Sequence, residues 1–239
     1  MKKKNIKKVV VTGGSRGIGL AIAEKFSMHG FEVLITGTKP SSQLKNQGYE
    51  YYCADFSFPQ SVHDFSIFLK NYKPDILINN AGINVVAPFE EISLETFMKI
   101  QQVNVVAPFQ LCQAVIDNMK KKQWGRIVNI ASIWSKISKS GRASYSTSKF
   151  GLDGMSVAIS AELSQYNILV NCVSPGFIDT DLTRNTLGEE GMIKIANEIP
   201  IKRLGNSTEI ATLVTWLASE ENTYLTGQNI AIDGGFTRV

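Results

Sequence analysis

The sequence predicts an α/β fold: a parallel sheet covered by helices on both faces. Two observations predict it. Short apolar, β-branched runs alternate with segments of helical periodicity along the chain, the pattern of parallel strands joined by crossover helices. The first run also ends in a glycine-rich loop that opens directly into a helical pattern, which is the context a phosphate cradle needs. With 239 residues, 44% of them hydrophobic and 19% charged, the chain suits one domain with a sizeable core, and residues 1–239 are read as that single domain.

Lys8 to Val11 is the first strand. It leads into Thr12-Gly13-Gly14-Ser15-Arg16-Gly17-Ile18-Gly19 and then a helix begun by Leu20 to Phe26. Gly13 permits a tight turn, Gly17 lets backbone approach a pyrophosphate, and Gly19 lets helix and strand pack closely. The helix N-terminus then offers free N–H groups and a positive dipole end to the phosphates. Phe31 to Thr36 is the second strand. A dinucleotide fold that prefers NAD usually carries Asp or Glu at this strand's end, on the ribose hydroxyls. Here the positions are Thr36-Gly37-Thr38-Lys39, with no carboxylate before Glu50. Small polar groups near Arg16 suit a 2′-phosphate, so NADPH is expected over NADH.

Tyr49 to Ala54 is the third strand, followed by Asp55-Phe56-Ser57, and Ser61 to Tyr72 has helical spacing. The fourth strand, Ile76 to Ile78, runs into Asn79-Asn80-Ala81-Gly82. Two asparagines at a strand end hold turns, and Ala81 with Gly82 leaves room for a flat group such as a ribose. Ser93 to Met119 reads as one long helix, bent near Pro108; Asn104, flanked by valines, bends its backbone or binds a buried water. Arg126 to Ala131 is strand five, Ala143 to about Tyr166 a helix, and Ile168 to Val173 strand six, closed by Ser174-Pro175-Gly176. Phe177 to Glu198 is long, polar and irregular; the stretch from about residue 175 to 200 is read as a loop that closes over the ligand. Ser207 to Ala218 is a further helix and Asn229 to Asp233 the last strand.

The net charge of +4 lies partly in the tail Lys2-Lys3-Lys4-Asn5-Ile6-Lys7-Lys8, read as a solvated leader, and in Lys120-Lys121-Lys122, read as a helix C-terminus. No nucleic-acid module accompanies these runs, so no nucleic-acid partner is expected. Val9-Val10-Val11 is too short for a signal-peptide core and no membrane span is present, which points to the cytoplasm. Cys53, Cys112 and Cys172 read as core thiols in a reducing compartment. His29 and His63 lack ligand-spaced companions, so no metal site is expected.

The chemistry gathers between Ser132 and Lys149. Tyr145 and Lys149 are four apart and share a helix face. A fixed ammonium beside a phenol favours the phenolate, which turns tyrosine into a usable general acid or base near neutrality. Ser132, after strand five, offers a hydroxyl that can hold a carbonyl oxygen. Such a trio suits carbonyl reduction, or alcohol oxidation in reverse.

Taken together, Thr12–Gly19, Asp55, Asn79–Gly82, Asn104, Ser132, Tyr145, Lys149 and Pro175-Gly176 with Thr180 make the chain resemble a short-chain dehydrogenase/reductase of the compact kind. That resemblance implies a doubly wound Rossmann fold of seven parallel strands, a nicotinamide cofactor and a homotetramer built by the last helix and strand. It implies that Tyr145 is the proton donor and Ser132 holds the substrate oxygen. Lys149 would lower the tyrosine pKa and bind the nicotinamide ribose, and Asn104 would position a water linking Lys149 to solvent. The cofactor would lie against Gly13, Ser15, Arg16, Gly17, Ile18, Gly19, Thr38, Asp55, Phe56, Asn80, Ala81, Gly82, Tyr145, Lys149, Pro175, Gly176, Ile178 and Thr180.

Within the family the chain is most similar to 3-oxoacyl-carrier-protein reductases, on GRIVNIAS, NILVNCVSPGFIDTDLTR, PIKRLG and YLTGQNIAIDGG. The implied substrate is a small carbonyl compound or alcohol, a 3-oxoacyl thioester for choice, possibly presented on acyl carrier protein. A sugar or other small secondary alcohol is the alternative substrate, and a non-catalytic NADP-binding protein the alternative class. Those reductases dock the acidic carrier with two arginines; Arg126 matches the first and Tyr166 replaces the second. Trp134 is either an aromatic wall of the substrate site or a packing residue.

Overall fold

The first strand of the chain lies inside the sheet, next to its central strand. In the computed structural model, which describes residues 6–39 and 49–239, β1 (Lys8–Val11) is flanked by β2 (Glu32–Gly37), which pairs in turn with β3 (Glu50–Cys53). On its other side follow β4 (Ile76–Asn79), β5 (Gly125–Ile130) and β6 (Ile168–Pro175), and the far edge is β9 (Asn229–Ile232). Every pairing in this seven-stranded sheet is parallel. The strands β7 (Ile178–Asp179) and β8 (Gly205–Asn206) form a separate two-stranded ladder. Lys2, Lys3 and Lys4 of the expected leader lie outside the described residues, but its end is not a free tail: Lys7 pairs with Glu220, and Lys8 opens β1 and pairs with Glu32.

The strands read as continuous apolar runs because both faces are covered. On one face Val9, Val11, Ile35, Ile78 and Val128 pack against α1 (Gly17–Met28) and α7 (Ser207–Leu217). On the other, Val10, Leu34, Leu77, Ile127 and Val170 meet α2 (Pro59–Tyr72), α4 (Ala107–Lys122) and α5 (Ala143–Leu163). The chain turns one way from β1 to β2 and β3, then crosses back to β4. That reversal opens a crevice at the C-terminal ends of β1 and β4, where open α/β sheets bind ligands.

Two expectations are corrected. The single helix foreseen from Ser93 to Met119 is α3 (Leu94–Gln101) and α4, joined by a π turn at Gln102–Val106 that the Ala107 N–H closes onto the Gln102 carbonyl. The irregularity therefore sits on Asn104. Pro108 stands just past the π turn, inside a helical run that continues without a break from Leu94 to Lys122. The second correction is Phe177 to Glu198, which is β7 followed by the helix α6 (Asp181–Glu198), broken at Gly188 (φ 66°, ψ 177°). Thr180 starts that helix by accepting the Thr183 N–H at 3.3 Å. Among the described residues no helix is long and apolar enough to cross a membrane, and no group of three or more His, Cys, Asp or Glu could hold a metal ion.

Candidate active site

The crevice is built from strand ends and bonded shut on its floor. Thr12, at the end of β1, accepts the Asn80 and Ala81 N–H groups on Oγ1 at 2.9 and 3.0 Å. Asn80 returns its amide to the Thr12 and Gly13 carbonyls at 2.9 and 3.1 Å. The glycine loop and the loop after β4 are thus one rigid unit. Gly19 is required by that closeness, since a Cβ there would stand 2.3 Å from the Gly13 carbonyl oxygen. Arg16 is the N-cap of α1 and makes no side-chain cap bond, so the first N–H groups of α1 stay free for an anion. Thr180 faces them across the crevice, with its Cγ2 3.8 Å from where a Gly17 Cβ would be.

At the end of β2, Thr38 and Lys39 are exposed, as is Arg16 in the glycine loop, whose neighbour Ser15 has its Oγ 3.2 Å from where a Gly37 Cβ would be. Asp55 spends Oδ1 on the Ser57 N–H and hydroxyl at 2.9 and 2.7 Å, which leaves Oδ2 without a partner among the described residues. Phe56 and Ile178 put their side chains in the core and can offer a ligand only backbone. Gly176, after Pro175, is pinned by its N–H to the Ile232 carbonyl at 3.0 Å.

Ser132, Tyr145 and Lys149 meet beyond the end of β5. Ser132 Oγ accepts the Trp134 N–H at 3.2 Å, and its hydroxyl is near enough to the Tyr145 phenol to oppose the rise of the phenol's pKa. The Ser132 turn is itself clasped to two strands: Ser135 Oγ donates to the Ser132 carbonyl at 2.6 Å and bonds Ser174 Oγ on β6, while Asn229 on β9 donates to Ser135 at 2.9 Å. Lys149 is buried, donates to the Ile130 carbonyl at 2.8 Å, and lies over the Tyr145 ring 5.5 Å from its centroid. Burial draws its pKa down to about 8. The expectation that Lys149 lowers the Tyr145 pKa needs correction. Burial raises the phenol, and the influences that oppose it are the Ser132 hydroxyl and the Arg142 charge.

The π turn explains Asn104. Its side chain accepts the Ile83 N–H at 2.9 Å and donates to the Ile83 carbonyl and to Ser148 Oγ at 2.9 and 3.0 Å. Its Oδ1 and the Lys149 ammonium converge on Gly82, lying 3.4 and 3.6 Å from where a Cβ would be. Asn104, Lys149 and Gly82 therefore enclose one small polar space.

Sequence reasoning missed several supports. Ser148 and the Ser135–Ser174–Asn229 clasp carry no motif of their own, and Thr12 was read only as part of the glycine loop, not as the tie to the loop after β4. Arg142 had a signal: it precedes Tyr145 by three residues, within one helical turn. Trp134 is buried, packs edge-on against Phe177 at 6.3 Å between centroids, and has Arg142 and Lys139 over its ring. It is a packing residue whose ring is taken by cations, and no open platform for a sugar. Arg126 is also not where a docking residue would be. It is 2% exposed at the opposite end of β5, its guanidinium spent on the Gly125, Asn167, Ser219 and Asn222 carbonyls.

Comparison with known proteins follows the same lines. A family model described as enoyl-(acyl carrier protein) reductase matches residues 13–237. The 3-oxoacyl-(acyl-carrier-protein) reductase FabG of Aquifex aeolicus is 38% identical over 237 residues, with 95% of each chain covered. Acetoacetyl-CoA reductase of Cupriavidus necator is 35% identical over 238 residues, covering 94% of this chain and 96% of its own. Among solved structures, YwfH, an NADPH-dependent reductase involved in bacilysin biosynthesis, superposes with a TM-score of 0.93 at 28% identity, over 98% of this chain and 100% of its own.

Proposed function

The chain belongs to the short-chain dehydrogenase/reductase family and is an oxidoreductase; from that premise we propose that it reduces the ketone of a 3-oxoacyl thioester to a secondary alcohol with NADPH. The observation that carries this reading is the meeting of Ser132, Tyr145 and Lys149 beside a glycine loop whose helix N-terminus is uncapped. Relatives named for 3-oxoacyl and acetoacetyl thioesters support the substrate class.

The residues fit a nicotinamide dinucleotide. The free N–H groups of α1 suit its pyrophosphate, Asp55 Oδ2 its adenine, and the space at Gly82 beside Lys149 its ribose. A bound reduced dinucleotide supplies the hydride that adds to the carbonyl carbon. Tyr145 gives its phenolic proton to the carbonyl oxygen as negative charge builds there, and Ser132 donates a hydrogen bond to the same oxygen. Lys149 would hold the ribose hydroxyls, and Asn104 would position a water through which the proton is replaced. Burial raises the Tyr145 pKa further above its ordinary 10.0, so the phenol holds a proton to donate at neutral pH.

For the 2′-phosphate, exposed Arg16 with Thr38 and Lys39 supports NADPH, since a charge-assisted bond contributes about 1.5–3 kcal/mol. The reading extends to a cytoplasmic homotetramer. The free thiols Cys53, Cys112 and Cys172 suit a reducing compartment, and exposed Phe109 on α4 with Phe150 and Val157 on α5 gives an apolar surface for a second copy. The test is turnover of an acetoacetyl thioester with NADPH and with NADH, by wild type and by Arg16→Ala. Wild type turns over the thioester and prefers NADPH, and Arg16→Ala loses much of that preference. Equal preference in the two proteins removes Arg16 from the argument, and no thioester turnover removes the substrate.

A further inference from the structure

Arg142 is placed where a cation gains little. It is the N-cap of α5, at the positive end of the helix dipole. None of the ion pairs among the described residues includes it. Its Nε is buried without a hydrogen-bond partner, and a buried donor left unpaired costs about 1–3 kcal/mol. The guanidinium lies over Trp134, 5.5 Å from the ring centroid, and the Lys139 ammonium stands at the same distance from the same ring. Two like charges thus share one aromatic ring beside an unused donor.

The neighbours of this cation place it beside the reactive residues. Trp134, which supports it, is tied by its backbone N–H to Ser132 Oγ. The Arg142 charge also reaches the Tyr145 phenol three residues on. An oxygen-rich group bound at Ser132 and Tyr145 would relieve both the unpaired donor and the crowded charges.

Building on the function proposed above, we propose that Arg142 is a specificity-determining residue whose Nε–H donates to a second oxygen of the substrate, close to the ketone. The chemistry it selects is a ketone flanked by another carbonyl or a carboxylate: a 3-oxo thioester or a 3-oxo acid, over a simple ketone.

The test compares wild type, Arg142→Gln and Arg142→Lys, with NADPH, on three ketones: the acetoacetyl thioester of N-acetylcysteamine, acetoacetate, and 2-pentanone. Because the Arg142 charge also acts on Tyr145, all rates will move together. The ratio of kcat/KM for each two-oxygen substrate to that for 2-pentanone cancels this shared shift. In Arg142→Gln the ratio falls about 10- to 100-fold, the size of one charge-assisted hydrogen bond, and Arg142→Lys does not restore it. A fall for the thioester alone, or for acetoacetate alone, supports the proposal and names which oxygen is held. Unchanged ratios for both overturn it. A second readout does not need turnover: calorimetric binding of acetoacetate to the protein loaded with NADP⁺ weakens at least tenfold in Arg142→Gln, and equal affinity overturns the proposal. If wild type reduces none of the ketones, the proposed function fails, while the calorimetry still judges Arg142.

Discussion

Tyr145 and Lys149 are both drawn toward their neutral forms by burial, and this sets how the site answers pH. A phenol held protonated is ready to donate, so reduction holds steady across neutral pH, whereas oxidation of the alcohol needs the phenolate and rises as pH climbs into the alkaline range. Opposite slopes in the two directions are the expected result, and parallel profiles count against Tyr145. Replacing the phenol is a sharper test. Tyr145→Phe keeps the fold and cofactor binding and loses about 10²–10⁴-fold in turnover, the usual worth of a positioned general acid; near-normal turnover in a folded variant refutes the assignment. Lys149 makes a prediction about stability. Its folded pKa of about 8 lies below the ordinary 10.5, so in between the unfolded chain binds the extra proton. The burial cost of the charge is therefore complete below about pH 8 and is relieved as pH rises toward 10.5. Relative to Lys149→Met, wild type should gain stability between pH 7 and pH 10, read from denaturant midpoints. A constant difference between the two proteins contradicts the depressed value.

At the scale of elements, the glycine loop and the π turn are rigid for different reasons. The loop is fixed by close approach, so Gly19→Ala, which places a methyl 2.3 Å from the Gly13 carbonyl oxygen, lowers both the thermal midpoint and cofactor affinity. The turn is fixed by one side chain. Asn104→Ala strands the Ile83 N–H and carbonyl and one partner of Ser148, and should cost about 1–3 kcal/mol of stability as well as activity. An Asn104→Ala protein of wild-type stability would mean water replaces those bonds. The two elements also differ in how far the sequence announces them. Strand, glycine loop and helix follow from local patterning, and the loop residues fall where the reading places them. The π turn does not: Pro108 is the stronger local signal, yet it stands just past the turn, and Asn104 within it acts through a backbone contact with Ile83 that is distant in sequence. The helix α6 was hidden for a related reason. Its composition is polar and interrupted by Gly188, and the Thr180 cap that starts it is visible only once β7 has ended.

For the whole molecule, the two ends of the sheet have separate duties. Every reactive side chain gathers at the C-terminal end, while Arg126 closes the other by binding four carbonyls. Sequence similarity makes Arg126 resemble a docking residue because pattern cannot tell an exposed arginine from a buried one; only the loops carrying Asn167, Ser219 and Asn222 decide that. Arg126→Ala should therefore unfold more easily, by several degrees or more, because those carbonyls lose their donor. The ratio of activity on an acyl carrier protein to activity on a simple thiol carrier stays unchanged in whatever folded protein remains. A lost carrier preference without lost stability would restore the docking role. The clasp from Ser135 to Asn229 has a consequence in time. A chain made from its N-terminus holds Ser132, Tyr145 and Lys149 once residue 149 is added, but Asn229, which donates to Ser135 beneath the serine, comes later. A nascent chain thus owns its whole reactive set while the serine turn is still untied, and synthesis itself delays the moment at which the enzyme can begin to work.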